Sequence, residues 1–235
     1  MSDEMNFAAR LSESELAELG GRGRQVRIGP GYYLMRQGEP GDCIVLIVSG
    51  LVKIVRSDHT GDERLLGIRG PGELVGEMAC IDDRPRSASV LAHTLVIGIK
   101  IARNSFLEFL RDRSKVAYEV LRQGSLRLRE AESKQEAAAS DSVDVRVLRE
   151  LVSLAGRFGG DGEAVIPLCQ RELAQLVWAA EVTVQRSLRS LRDRRLVRTE
   201  YGCVVVDCVD CLRRAAAEPN GTEAVLGCGG SSGED

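Results

Sequence analysis

The segment Gly72-Glu73-Leu74-Val75-Gly76-Glu77-Met78, followed by Arg84-Pro85-Arg86-Ser87-Ala88, gathers the chemistry of a sugar phosphate into one stretch of chain. The pattern predicts a strand that bends at Gly76 into a short helical turn carrying Glu77, with Arg86 and Ser87 beginning the next strand. Glycine permits close approach at such a bend, helical amides meet an anion, and a carboxylate accepts from a sugar hydroxyl. A guanidinium fits a phosphate as a fork, and a hydroxyl beside it adds one donor. Gly76, Glu77, Arg86 and Ser87 are therefore the candidate effector-binding residues. The same residues admit a reading without ligand, in which Glu77 and Arg86 pair with each other inside the fold.

A second constellation runs from Arg171 to Leu188. Leu173 and Val177 read as core positions of one helix, Ala174 as the small residue where two helices cross, and Val184 and Leu188 as the buried face of the next helix. The second helix and its exit carry Arg186, Arg189, Arg192, Arg194, Arg195 and Arg198 against Glu181, Asp193 and Glu200. In a chain of formal net charge −3, that local positive excess is the footprint of a DNA-facing helix. Thr183, Gln185, Arg186 and Arg189 are the candidate DNA contacts, and a solvated charged face is the plainer alternative. Cys203, Cys208, Cys211 and Cys228 follow a C-x4-C-x2-C-x16-C spacing, whose first three members resemble a plant-type iron–sulfur arrangement. Buried structural cysteine is the commoner fate of such residues, so no metal ligand is assigned, and a thiol redox role for Cys208 and Cys211 stays open. His59 and His93 have no ligand spacing. No nucleophile–base pair is visible, so an enzyme is not expected.

Those residues need elements to position them. From Val26 to Ile101 the chain alternates short apolar stretches with glycine-rich turns: Tyr32–Met35, Cys43–Val48, Leu51–Val55, Leu65–Ile68, Leu74–Val75, Ser87–Leu91 and Leu95–Ile101. Many short strands at regular spacing predict an antiparallel β-roll. A short helix precedes it, capped at Ser12 and stopped by Gly20-Gly21. Residues 104–139 read as helix. Within them Ala117, Leu121, Gly124, Leu128, Ala131, Gln135 and Ala138 alternate at four and three, a heptad seam flanked by Arg122, Arg127, Arg129, Glu130 and Lys134. Leu121, Gly124, Leu128 and Ala131 are the candidate dimerisation residues, the other reading being a helix packed on its own roll. Asp141–Asp144 reads as a hinge. Beyond it come helix, helix, helix and a hairpin turned at Tyr201-Gly202, the order of a winged helix-turn-helix. The expected fold class is α+β, with a roll at 1–115, a dimerisation helix at 116–140, a winged helix at 141–214 and a disordered tail at 215–235.

Composition narrows the class. A hydrophobic share of 43% in 235 residues supports a core in each of two domains. The longest unbroken apolar run, Cys43 to Val48, is far short of the ~18 residues that cross a bilayer. The acidic start Met-Ser-Asp-Glu-Met-Asn is unlike a secretory signal. Seven cysteines, an odd number at irregular spacing, do not suggest a disulfide framework. A cytoplasmic protein with no membrane partner is expected.

Taken together, Gly-Glu-x(8)-Arg-Ser-Ala from Gly76 to Ala88 and the turn glycines of Gly38-Glu39-Pro40-Gly41-Asp42, Gly50, Gly61 and Gly72 resemble the phosphate-binding cassette of cyclic-nucleotide-binding domains. The resemblance, to the Crp/Fnr superfamily of bacterial transcription regulators, covers residues 10–214. It implies a homodimer that binds double-stranded DNA, works with RNA polymerase, and takes a cyclic nucleotide, cyclic AMP or cyclic GMP. By the resemblance Glu77 holds the ribose hydroxyl, Arg86 the cyclic phosphate and Ser87 a phosphate oxygen. The chain departs from the pattern in four places. Cyclic-AMP-responsive members carry a Thr–Ser pair on the long helix to bind adenine, and the heptad aligns Ala131 and Glu132 there. The family's Ser-Arg-Glu-Thr opening of the recognition helix reads Ala180-Glu181-Val182-Thr183, so the arginine that reads guanine and the glutamate that reads cytosine are missing. Cys169 replaces the usual Ser/Thr helix cap, and Trp178 stands where the turn normally has glycine. A ligand-binding or interaction protein that has lost DNA readout, and a cysteine-based redox or metal sensor, are the alternatives.

Overall fold

The computed structural model describes residues 6–59, 61–158 and 162–217. The chain divides into two compact units between Glu130 and Ala131. The first unit opens with a 3-10 turn (Ala8–Arg10) and α1 (Glu13–Gly21), where Ser12 and Glu15 close a reciprocal capping box. Eight strands follow: β1 (Gly23–Ile28), β2 (Tyr33–Met35), β3 (Cys43–Ser49), β4 (Val52–Ser57), β5 (Glu63–Arg69), β6 (Leu74–Val75), β7 (Ser89–Ala92) and β8 (Val96–Ala102), with α2 (Glu77–Asp82) between β6 and β7. They form two antiparallel four-stranded sheets, β1-β8-β3-β6 and β2-β7-β4-β5. This is the expected roll.

β3 explains why the longest apolar run is so evenly apolar. Successive side chains of a strand face opposite ways. Ile44 and Leu46 enter one core with Phe7, Leu19, Phe106, Phe109, Val116 and Val120, while Cys43, Val45 and Ile47 enter another with Met35, Val52, Val90 and Val96. The strand is covered on both faces. β1 is the opposite case, an edge strand whose Arg24, Gln25 and Arg27 interrupt Val26 and Ile28. It pairs with β8 from Gly23↔Ile101 to Ile28↔Val96, and its two apolar residues were too few to mark it among the predicted stretches.

The stretch 104–139, read as helical, is divided into α3 (Arg103–Asp112) and α4 (Ser114–Ser140). Arg113 leaves helical geometry between them at ψ 79°, and its guanidinium donates twice to Glu18 of α1, at 3.0 and 2.8 Å. In the second unit, the end of α4 leads through Asp141 and Ser142 to α5 (Val143–Phe158), which buries Val147, Leu148, Leu151, Leu154 and Ala155. Then come β9 (Ala164–Ile166), α6 (Gln170–Leu176), α7 (Glu181–Asp193), β10 (Val197–Glu200), β11 (Cys203–Val206) and α8 (Val209–Ala217). The hairpin β10–β11 gains β9 as a third antiparallel strand, ordered β10-β11-β9. Residues 215–217, expected to open the tail, continue α8, where Ala215 is buried with Cys211 and Leu212. The remainder of that stretch lies outside the described residues.

Candidate functional site

Gly76 holds φ 85° as the cap of α2, a left-handed conformation that favours glycine. Space requires glycine as well, since a Cβ there would come within 2.6 Å of both Arg86 Nη1 and Met35 Sδ. Beside it, the predicted start of a strand at Arg86 and Ser87 is corrected: β7 begins at Ser89. Arg86 gives its backbone to the 38–42 turn instead. Its amide donates to the Glu39 carbonyl and its carbonyl accepts from the Gly38 amide, both at 2.9 Å. The turn can press this close because Gly41 has no side chain; a Cβ would meet the Ala79 carbonyl oxygen at 2.3 Å.

Glu77 and Arg86 are 6% and 5% exposed, and they do not pair with each other. Arg86 Nη1 donates to the Gly76 carbonyl at 2.7 Å; Nη2 donates to the Cys43 carbonyl at 2.6 Å and to Asp42 Oδ1 at 3.1 Å. A hydrogen bond from Cys43, with Lys100 and Arg86 nearby, holds the Asp42 carboxyl below the usual range despite some desolvation. Glu77 accepts from Arg127 Nη1 of α4, while Arg127 Nη2 donates to the Leu74 carbonyl at 2.8 Å. Burial pulls the Arg127 guanidinium down from its ordinary value, against the opposing charge of Glu77. Sequence reasoning placed Arg127 among the solvated flanks of the seam. Its position 50 residues beyond Glu77 gave no signal, since a contact between the two exists only once α4 lies along the roll. Ser87 is exposed and its carbonyl accepts from Arg56 Nε at 3.2 Å.

On α4 the seam lies uncovered in the single chain: Leu121 is 67% and Leu128 61% exposed, and Gly124 and Ala131 are exposed between and beyond them. The face toward the roll instead buries Val116, Val120 and Gln123. The helix therefore has two separate faces, one covered and one apolar and open.

On α7, Val184, Ser187, Leu188 and Leu191 are buried. Gln185, Arg186 and Arg189 are exposed, and Thr183 is half-buried. Arg198 belongs to the wing rather than to this face: it pairs with Asp207 at 2.5 Å, Glu163 at 2.6 Å and Glu200 at 3.6 Å. Arg192 donates to Thr199 Oγ1 at 2.9 Å. The basic surface is thus narrower than the sequence count implies. Trp178 does adopt positive φ, 54°. Cys169 caps α6 without a hydroxyl, and Glu172 accepts from its amide at 3.0 Å. Cys203 and Cys208 are half-buried and Cys211 is buried. Among the described residues no group of three or more His, Cys, Asp or Glu is placed to hold a metal ion, and Cys228 lies outside them. Among the described residues, no helix is long and apolar enough to cross a membrane.

Two family models match the chain: the cyclic nucleotide-binding domain over residues 25–113 and the Crp-like helix-turn-helix domain over residues 145–215. A CRP-like cAMP-activated global transcriptional regulator of Mycobacterium tuberculosis is 33% identical over 210 residues, covering 88% of this chain and 94% of that protein. The cyclic AMP receptor protein of Thermus thermophilus is 32% identical over 183 residues, covering 77% and 83%. The c-di-GMP responsive global regulator CLP of Xanthomonas campestris shares the fold at TM-score 0.70 and 22% identity, over 83% of this chain and 99% of that one. A cyclic nucleotide-binding domain followed by a long helix and a Crp-like helix-turn-helix domain is the make-up of a transcription regulator. The chain belongs to the Crp/Fnr family of transcription regulators.

Proposed function

We propose that this regulator acts as a homodimer through Leu121, Gly124, Leu128 and Ala131, and that its roll takes a cyclic nucleotide by the ribose phosphate. The observation that carries the effector reading is the buried pair of polar centres around Gly76. Glu77 is poised by Arg127 to accept from a sugar hydroxyl. Arg86 has one exposed partner, the Asp42 carboxylate, whose place a phosphate oxygen can take while the two carbonyl contacts remain. Ser87 adds its hydroxyl. The base half of the site is poorer: Ala131 and Glu132 stand where cyclic-AMP-responsive members have hydroxyls, and neither a methyl nor a carboxylate reproduces those contacts. In the other unit, Thr183, Gln185, Arg186 and Arg189 face the major groove, with paired α7 helices meeting successive grooves about 34 Å apart. RNA polymerase is the further partner that this family reading brings. Effector binding acts by shifting the population of helix packings in the dimer.

Calorimetry with cyclic AMP and cyclic GMP on the wild type and on Arg86→Ala, paired with DNA titrations, tests this reading. Both nucleotides bind weakly with little discrimination, and Arg86→Ala abolishes the binding because the phosphate loses its counter-charge. Saturating cyclic AMP changes DNA affinity by less than roughly tenfold, about 1.4 kcal/mol of coupling. Sub-micromolar cyclic AMP binding with a large gain in DNA affinity would overturn the reading of Ala131 and Glu132.

A further inference from the structure

The turn between α6 and α7 is closed by hydrogen bonds that ordinarily call for glycine. The Ala179 amide donates to the Ala174 carbonyl at 3.0 Å, and the Trp178 amide donates to the Gln175 carbonyl at 3.3 Å. This is the six-to-one and five-to-two pair that ends a helix when the residue after its cap is left-handed. The residue in that place is Trp178, at φ 54°. A side chain is penalised there by crowding between its Cβ and the carbonyl that follows. Strained backbone of this kind persists only where its surroundings over-determine it.

Arg146 on α5 supplies those surroundings. Its Nη1 donates to the Val177 carbonyl at 2.7 Å and to the Trp178 carbonyl at 3.2 Å. These are the carbonyls of the α6 cap and of the residue after it, at the end of the helix where the dipole favours a cation. The Arg146 Nε is buried without a hydrogen-bond partner, so the guanidinium leaves one donor unsatisfied while it serves the turn. Two residues earlier, Asp144 accepts from the Ser187 hydroxyl of α7. The first turns of α5 thus hold both the turn and the helix that leaves it.

We propose that Arg146 is a positioning residue of the DNA interface: by holding the Val177 and Trp178 carbonyls it keeps Trp178 left-handed, and so sets the direction in which α7 leaves α6. The inference rests on the reading that α7 faces DNA. The φ and ψ of the one residue after the α6 cap decide the exit direction of the following helix. Base contacts tolerate errors of only about 0.5 Å and 10–20°. A lysine at 146 replaces the arginine only in part, because its strongly hydrated ammonium sits on a flexible stem, whereas the planar guanidinium holds its Nη1 donors in a fixed orientation toward the two carbonyls.

The test is a double-mutant cycle in the full-length protein, on a duplex that the wild type selects from a random-sequence pool. Arg146→Ala weakens binding by at least about tenfold in the wild-type background. It weakens binding by less than about threefold when Trp178→Gly has already removed the left-handed penalty, and the difference is the coupling between the two sites. Arg146→Lys falls between. A second readout needs no DNA. Trp178 is the single tryptophan of the chain, so its emission reports the turn alone. Arg146→Ala shifts that emission, whereas Arg149→Ala on the same helix, which removes the ion pair with Asp141, does not. Equal losses in the two backgrounds would mean that Arg146 acts through stability or direct phosphate contact, and would overturn the proposal. So would unchanged affinity or unchanged emission. Where Arg146→Ala does not fold, Arg146→Lys enters the cycle under the same equal-loss criterion. If the wild type selects no duplex, the DNA reading itself fails, while the emission comparison still decides whether Arg146 holds the turn.

Discussion

In the cassette, Glu77 and Arg86 are withdrawn from solvent and held by Arg127, Asp42 and two backbone carbonyls. On α7, Arg186 and Arg189 stand exposed on a helix whose other face is packed. The two regions therefore handle charge in opposite ways. Inside the roll a buried charge is costly unless it is paired, so its geometry is fixed by its partners. On α7 the charges remain hydrated, and what is fixed is the backbone that carries them. The polar centre of the roll is organised by side-chain partners, α7 by the geometry of the turn that precedes it.

The most severe way to break this contrast is Arg127→Ala. It leaves the Glu77 carboxylate buried without its guanidinium, and about 3–5 kcal/mol of stability is lost, the usual effect of orphaning one member of a buried pair. Urea unfolding measures it. The double variant Arg127→Met, Glu77→Gln recovers most of the loss. A small loss in the single variant would mean that Glu77 reaches water or another donor.

Leu128→Asp comes next, because it faces two like charges across the open seam of α4. The dimer dissociation constant rises by more than about hundredfold, roughly 2.7 kcal/mol, with the roll and winged helix still folded. Sedimentation at micromolar concentration reads this as monomer. A dimer that persists there would move the interface away from the seam.

Arg186→Ala sharpens the α7 side of the comparison. It costs about 1–3 kcal/mol at the preferred site and relaxes preference at one base pair. An equal loss on every sequence would make Arg186 a phosphate contact. Titration against a set of single-base variants distinguishes the two.

The smallest effect is expected at Arg195, which takes φ 55° just after the cap of α7. The Leu196 amide donates to the Leu191 carbonyl at 3.0 Å in the same closing pattern as at Trp178. Arg195→Gly removes the left-handed penalty and raises the stability of the winged helix by about 1 kcal/mol, partly offset by the greater freedom of glycine in the unfolded chain. Thermal unfolding measures it. A fall in stability would show that the Arg195 side chain contributes more than its backbone costs.

Much of this molecule was legible in one dimension. β3 was visible as an unbroken apolar run, β10 and β11 as a strand pair about Tyr201-Gly202, and α7 as a buried stripe opposite arginines. Each signal is a local period, repeated often enough to stand out. β1 and β9 were not legible, because an edge strand with two apolar residues and a three-residue strand carry too little period to register. The sequence pointed to Gly76, Glu77 and Arg86 as neighbours, which they are, but the reading without ligand paired Glu77 with Arg86, and each has another partner. Their partners Arg127 and Asp42 were missed as partners, since both read equally well as solvated charges.

The sequence by itself determined the order of elements, the positions of the turns that need glycine, and the residue types gathered at Gly76–Ser87 and Thr183–Arg189. It also carried the anomaly at Trp178, as a bulky residue in a place that asks for left-handed backbone. Only the tertiary structure decided which charges are engaged: Arg127 with Glu77, Arg86 with Asp42, Arg198 with the wing, and Arg146 with the carbonyls of the turn. The physical reason is that periodicity reports which face of an element is buried, while a charged residue has a long side chain and the same local signature in solvent as in a pair. Its partner lies at a sequence separation that no period encodes, and burial of the pair follows from packing alone.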